Sequence, residues 1–469
     1  MSTVGYPNLQ QAATGQLPQG PGAMQANAPT GNAGWVMFLV MWAIMCVAAV
    51  AAVSYAGNLP LAIILAVPIT LIGIMWKPVF GLCMIVAVLP IGRAIGHADS
   101  FSLERGLAVL LLIGVLVNMI MKGKRLRVRS PVTFGLASLT LLSLFSVTWA
   151  KYPRLAGLYS FTLFQILALL ILILIVCENP WNVIWALRTF AAACLFAGLS
   201  GLFLGVDLSE TQRFTVAVSQ DKAMNPNHLA CIFGLAFFAA IYLFRRDPAR
   251  WTRMVWATCI GLMPIMIIFT ASRKAILAIA VTIALPFFSI KGFSRAPGLR
   301  VVMLILLLIG GFLFIKATQF AASEETITRI TDPEYAQNSY QQRMGFIKAS
   351  LDYVGRNPLG AGMGCFYEQQ GKVVHNDFFY IFSNLGYAGA IAFVCFALSM
   401  LFYLHRIPQS PEKLFCLSVM VFLFIEGMAA TWIFAKHYWI VLILAAQMVP
   451  VQAYMSARNP EPTVEYLEG

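Results

Sequence analysis

Long apolar runs recur along this chain, at about residues 35–56, 59–75, 78–92, 104–121, 131–149, 155–177, 181–204, 226–244, 254–271, 274–290, 300–318, 376–404, 412–433 and 437–455. Most approach the roughly 20 residues a helix needs to cross a hydrocarbon core. Lipid offers no partner for a bare N–H or C=O, so each run must bond its own backbone as a helix. The expected fold is an all-α polytopic integral membrane protein. Pro60, Pro68, Pro78 and Pro90 shorten the second and third runs. The expectation is therefore 12 to 14 transmembrane helices, an even number that leaves both termini on one side. Composition agrees, with 60% hydrophobic and 11% charged residues and a mean hydropathy of +0.79. A soluble domain is about half apolar and a quarter charged, so a soluble enzyme and a disordered scaffold are both excluded.

Orientation follows from loop charge, because Lys and Arg collect on the cytoplasmic side. The stretch Lys122-Gly-Lys124-Arg125-Leu-Arg127-Val-Arg129 is basic without an acid. Arg245, Arg246, Arg250 and Arg253, then Lys291, Arg295 and Arg300, follow in loops of the same parity. These loops and both termini belong in the cytoplasm. The net charge of +13 is thus read as topogenic, with membrane lipids and no nucleic acid as partners. The opposite parity leaves outside the 205–225 loop, the Ser272-Arg273-Lys274 corner and the long 319–375 stretch. The expected order is a disordered cytoplasmic tail at 1–34, which holds no charged side chain, and N-terminal transmembrane helices at 35–205. Helices at 206–318 follow, then a long periplasmic loop at 319–375, C-terminal helices at 376–455 and a cytoplasmic tail at 456–469. In the long loop, Tyr340, Met344, Ile347, Leu351 and Val354 recur at three- and four-residue spacing. That spacing predicts a surface helix with one apolar face. Asn357-Pro358-Leu-Gly360-Ala-Gly362-Met-Gly364 then breaks it into a flexible turn.

Polar residues that the apolar pattern does not explain are the candidates for chemistry. Arg273 and Lys274 lie at an outer helix end, against the charge bias. They either snorkel to headgroups or bind an anion, for which Arg offers a planar fork of donors. Arg343 on the surface helix is either a solvated charge or a second cation hanging over the same anion. His375, ahead of Asn376, Asp377 and an apolar run, sits where a helix amino end favours anions, and an imidazole there suits acid–base work. Asn225-Pro226-Asn227-His228 reads as a helix start with Asn225 as cap, leaving Asn227 and His228 to line a cavity. Glu426 lies inside an apolar run, where an acid needs a partner; Arg188 is the expected one. Nine cysteines show no metal spacing, and Cys365 alone lies in the long polar stretch, so no disulfide can close within that loop. No metal motif appears, and only Asp99 and Glu104 leave such a site open.

Taken in order, Asn225-Pro226-Asn227-His228-Leu-Ala, Thr270-Ala-Ser272-Arg273-Lys274, Gln342-Arg343, Arg356-Asn357-Pro358-Leu-Gly360-Ala-Gly362, His375-Asn376-Asp377-Phe378 and Asn384-Leu-Gly386-Tyr-Ala-Gly389 form a set. The set resembles the bacterial O-antigen ligase and polymerase superfamily. Lys274 stands where a small residue is more usual in that pattern. The resemblance implies an integral membrane glycosyltransferase, most like a lipopolysaccharide O-antigen ligase, working at the periplasmic face of the inner membrane without cofactor or metal. It would move O-antigen from undecaprenyl diphosphate to the lipid A–core oligosaccharide. On this reading His375 is the catalytic base, and Arg273, Arg343, Lys274 and Arg213 bind the donor diphosphate. Asn225, Asn227, His228, Asn376 and Asp377 support them. An O-antigen polymerase or a protein O-oligosaccharyltransferase shares these motifs. A secondary transporter or lipid flippase is the reading from another class, carried only by Glu426 and Arg188 at depth.

Overall fold

Proline and short polar caps set most of the helix boundaries. Pro78, Pro131, Pro153, Pro226 and Pro411 each sit in the first turn of a helix, where a missing N–H costs nothing. Asn225, Asn376 and Ser410 accept a backbone N–H from their own first turns. The computed structural model describes residues 68, 70–90, 103–123, 130–203, 225–270, 272–289, 333–371 and 374–458. The helices named here belong to the unit that begins at Leu71. They are α1 (Pro78–Val88), α2 (Leu103–Lys122), α3 (Pro131–Ser146), α4 (Pro153–Val176), α5 (Pro180–Phe203), α6 (Pro226–Arg246) and α7 (Arg250–Phe269). The chain continues with α8 (Arg273–Ser289), α9 (Pro333–Arg356), α10 (Phe366–Gln370), α11 (Asp377–His405), α12 (Pro411–Ala429), α13 (Lys436–Ala446) and α14 (Met448–Arg458).

Among the described residues there is no strand, and α2, α4, α5, α6, α7 and α11 are long and apolar enough to cross a membrane. Every described element is a helix, and the protein is multi-pass. The predicted runs 35–56 and 300–318 lie outside the described residues, as does most of 59–75. The last predicted run, 437–455, is two helices rather than one, divided at Gln447. Helix α6 is the buried centre, packed on α5, α7 and α12, while α8 also packs on α12 and α9 lies on α11.

Charged networks tie the carboxyl end of α6 to its neighbours. Glu412 accepts hydrogen bonds from Arg246 at 2.7 and 2.8 Å and from Tyr242 at 3.1 Å. Arg188 pairs with Asp247, which also accepts the Trp256 indole N–H at 2.6 Å. The expected Arg188–Glu426 pair does not form. Arg188 lies near the start of α5, level with the end of α6, and so meets Asp247 instead.

The surface helix forms as α9, but its buried arc is rotated from the predicted one. Ser350 and Val354 are buried and Phe346 and Tyr353 half-buried, whereas Tyr340 and Leu351 point outward, 63% and 49% exposed. Aromatic rings at 346 and 353 supply more area to cover than the aliphatic stripe does, so they decide which arc faces the protein.

The turn after α9 is locked, not flexible. Helix α11 breaks at Gly386, with φ 63° and ψ −155°, and its freed backbone groups are taken by that turn. Ala361 N–H donates to Ser383 O at 3.0 Å, Gly362 N–H to Asn384 O at 2.9 Å, and Tyr387 N–H to Pro358 O at 3.2 Å. The Asn384 side chain adds an acceptor for Phe366 N–H at 3.1 Å. Irregular backbone inside a membrane protein survives only when buried and satisfied in this way. A Cβ on Gly386 would stand 1.9 Å from Pro358 O, and this backbone conformation costs a non-glycine residue about 1–3 kcal/mol by itself. Gly386→Ala is therefore expected to lower the melting temperature of the detergent-purified protein sharply, or to abolish its accumulation. A variant that melts with the parent would show that the break tolerates a side chain.

Candidate active site

Four helices begin at one place. Helices α6, α8, α11 and α13 bring their amino ends together around the turn that joins α12 to α13. His228, in the first turn of α6, packs its ring 4.5 Å from Trp432 and 5.7 Å from His437 of α13. The Lys274 ammonium, in the first turn of α8, sits 4.3 Å above the Trp432 ring and 3.0 Å from Glu426. Asp377, first residue of α11, accepts the backbone N–H groups of Trp432 at 2.6 Å and Ile433 at 3.1 Å. A helix amino end carries about half a positive charge and unsatisfied N–H groups. Four of them converging make a strong anion-attracting field before any side chain is counted.

The segment carrying His375 is stitched to the same turn on both sides. Thr431 donates to Val374 O at 2.6 Å, and the Asn376 amide donates to Met428 O at 3.0 Å. The Asn376 carbonyl oxygen meanwhile caps α11 by accepting Phe379 N–H at 3.1 Å. Asn376 and Asp377 therefore hold the His375 backbone from within the protein, while the imidazole itself is exposed. From above, α9 lays Phe346 against it, with ring centroids 6.3 Å apart. Arg343, one turn earlier, is exposed. Desolvation, followed by the positive charges of Arg343 and Lys274, holds the His375 imidazole below its ordinary range. The ring is thus neutral and able to accept a proton at pH 7.

The other sequence candidates divide clearly. Arg273 opens α8 and is half-buried beside Ser272. Asn225 caps α6 through Asn227 N–H at 2.9 Å, and Asn227 and His228 lie half-buried in its first turn. Lys274 is drawn inward to Glu426, so its charge already has a counter-ion. Arg213 and Asp99 lie outside the described residues. Glu104 is paired with Lys436 at 2.5 Å. The Ser272 hydroxyl and the Trp432 indole N–H are buried and have no hydrogen-bond partner among the described residues. Such groups ordinarily find one, so both are open to a ligand or a water.

Trp432, Thr431 and His437 were not legible as site residues. Their turn lies more than fifty positions beyond His375 and carries no motif. The lone hint was Glu426, an acid in an apolar helix whose partner marks the place.

Residues 258–394 match the family model described as O-antigen ligase. The match covers less than a third of the chain and takes in Arg273, Arg343 and His375; Asn225, His228, Glu426 and Trp432 fall outside it. No curated protein matches the chain.

Proposed function

From the match of residues 258–394 to the O-antigen ligase family model, we propose that this chain is an O-antigen ligase. It transfers O-antigen glycan from undecaprenyl diphosphate to the lipid A–core oligosaccharide at the periplasmic face of the bacterial inner membrane. The observation that carries this reading is the convergence of four helix amino ends with Arg273, Arg343 and His375 at one end of the bundle. A lipid-linked diphosphate is an anion that must sit at a membrane boundary, which is what this arrangement fits.

In the proposed reaction the donor diphosphate lies between Arg273 and Arg343, with Arg213 as a further ligand. His375 takes the proton of an acceptor hydroxyl as its oxygen attacks the anomeric carbon. The bond from that carbon to the diphosphate oxygen breaks, and the departing charge is met by the two guanidinium groups. Attack opposite the leaving group inverts the anomeric centre. Asn376 and Asp377 position the base, and Asn225, Asn227 and His228 shape the floor.

Two arginines and the helix amino ends already supply the charge that a metal would supply. Transfer is therefore expected to proceed at an unchanged rate in excess EDTA. Loss of activity restored by magnesium would instead bring Asp99 forward as a ligand. The cellular test is a null strain. A ligase null accumulates full-length lipid-linked O-antigen with none on the core. Single repeat units on the core would mark a polymerase, and unaltered lipopolysaccharide with an altered membrane protein would mark an oligosaccharyltransferase.

A further inference from the structure

Arg273 and Lys274 are adjacent in α8, and a helix sends neighbouring side chains about 100° apart. The two cannot serve the same surface. Lys274 turns into the protein, where its side chain is 12% exposed and that of Glu426 is fully buried. Its ammonium is 3.0 Å from the Glu426 carboxylate and lies over the Trp432 ring at 4.3 Å. Trp432 in turn gives its backbone N–H to Asp377 at 2.6 Å, two residues beyond His375. A continuous set of contacts thus runs from the α8 corner through α12 and its following turn to the start of α11. Its two ends carry Arg273 and His375.

We infer that Lys274 is a positioning residue: with Glu426 and Trp432 it forms a buried strut that sets Arg273 in register with His375, and it does not touch the donor. The inference rests on the glycosyl-transfer reading above and deepens it. One feature favours it over direct donor binding. The ammonium lies between the Glu426 carboxylate and the Trp432 indole face, so its charge already has a counter-ion inside the protein.

The test compares the wild type, Lys274→Met, Glu426→Gln and the double variant, purified in detergent and assayed with a polyprenyl-diphosphate-linked glycan. Either single variant leaves a buried polar group without its counterpart and can lose stability. The double variant removes both charges of the pair and is expected to melt nearer the wild type than either single variant. Its turnover is nevertheless expected to fall about ten- to a hundredfold, the scale of a misplacement near 1 Å. Donor KM should change less than turnover, because Arg273 is displaced and not removed. The double variant should also be no slower than the slower single, since one strut is broken only once. Wild-type turnover in the double variant would overturn the inference, as would losses that multiply. A raised donor KM at unchanged kcat in Lys274→Met alone would make Lys274 a donor ligand and overturn it too. A wild-type protein with no transfer from that donor would overturn the functional reading and this inference with it.

Discussion

Replacing His375 with alanine is expected to lower turnover roughly 10²–10⁴-fold while lipid-linked donor still binds. The acceptor hydroxyl is a weak nucleophile, whereas a diphosphate is already a good leaving group, so removing the hydroxyl proton is where assistance counts. The imidazole is exposed to an incoming acceptor, yet its backbone is fixed by Thr431, Asn376 and Asp377. The pH profile gives a second readout. A base works in its neutral form, so kcat/KM should fall as pH drops through the His375 pKa. That limb should lie below the ordinary value of 6.5, because desolvation and then the charges of Arg343 and Lys274 disfavour the imidazolium. Removing one of those charges, as in Arg343→Ala, should raise the pKa and move the limb of the residual activity to higher pH. An unmoved limb would mean that the titrating group is not His375. Donor binding lost together with transfer in His375→Ala would make the histidine a phosphate ligand, and His228 the next candidate for the base.

Arg273→Ala should also lower transfer, though by less. A hydrogen bond to a charged group contributes about 1.5–3 kcal/mol, and each 1.4 kcal/mol is tenfold, so roughly ten- to a hundredfold is expected in kcat/KM. The loss should grow if the contact tightens as the diphosphate takes on charge. Arg273→Lys should fail as well, because a point charge cannot make the paired, planar contact of a guanidinium with phosphate oxygens. Equal transfer rates for Arg273→Ala and the parent, at matched expression, would remove Arg273 from the site. Arg343→Ala should reduce kcat/KM in the same assay, but from an exposed position on α9 where solvent competes for the same anion.

The contrast between local and distant features explains what the sequence could disclose. Helix starts were readable because their causes are local: Pro226 behind Asn225, and Asn376 three residues before the N–H it caps. Arg273 and His375 stood out as candidates from loop parity and the family pattern, each beside a helix start. The break at Gly386 was not readable. Asn384-Leu-Gly386-Tyr-Ala-Gly389 looks like an ordinary small-residue helix segment until the Pro358–Gly362 turn is brought against it. The same turn looked flexible for the same reason, since its partners are carbonyls freed by a kink elsewhere. Glu426 announced that it needed a counter-ion, but periodicity gives a side chain's face and not its depth relative to another helix. Lys274 rather than Arg188 therefore emerged only in three dimensions. The turn around Trp432 is the largest omission, because a tryptophan and a threonine at the end of an apolar run are ordinary interface residues in sequence.

Transfer of a glycan from a lipid diphosphate to a saccharide acceptor is measured directly with the purified protein in detergent, undecaprenyl-diphosphate-linked O-antigen and lipid A–core, resolving glycolipid product and released undecaprenyl diphosphate together. Glycan should appear on the core in equal amount to the diphosphate released, in EDTA, with an inverted anomeric linkage, at a strongly reduced rate in Arg273→Ala and a still lower one in His375→Ala. Elongated lipid-linked glycan with the core left bare, or no transfer at all from well-folded protein, would contradict the proposed reaction.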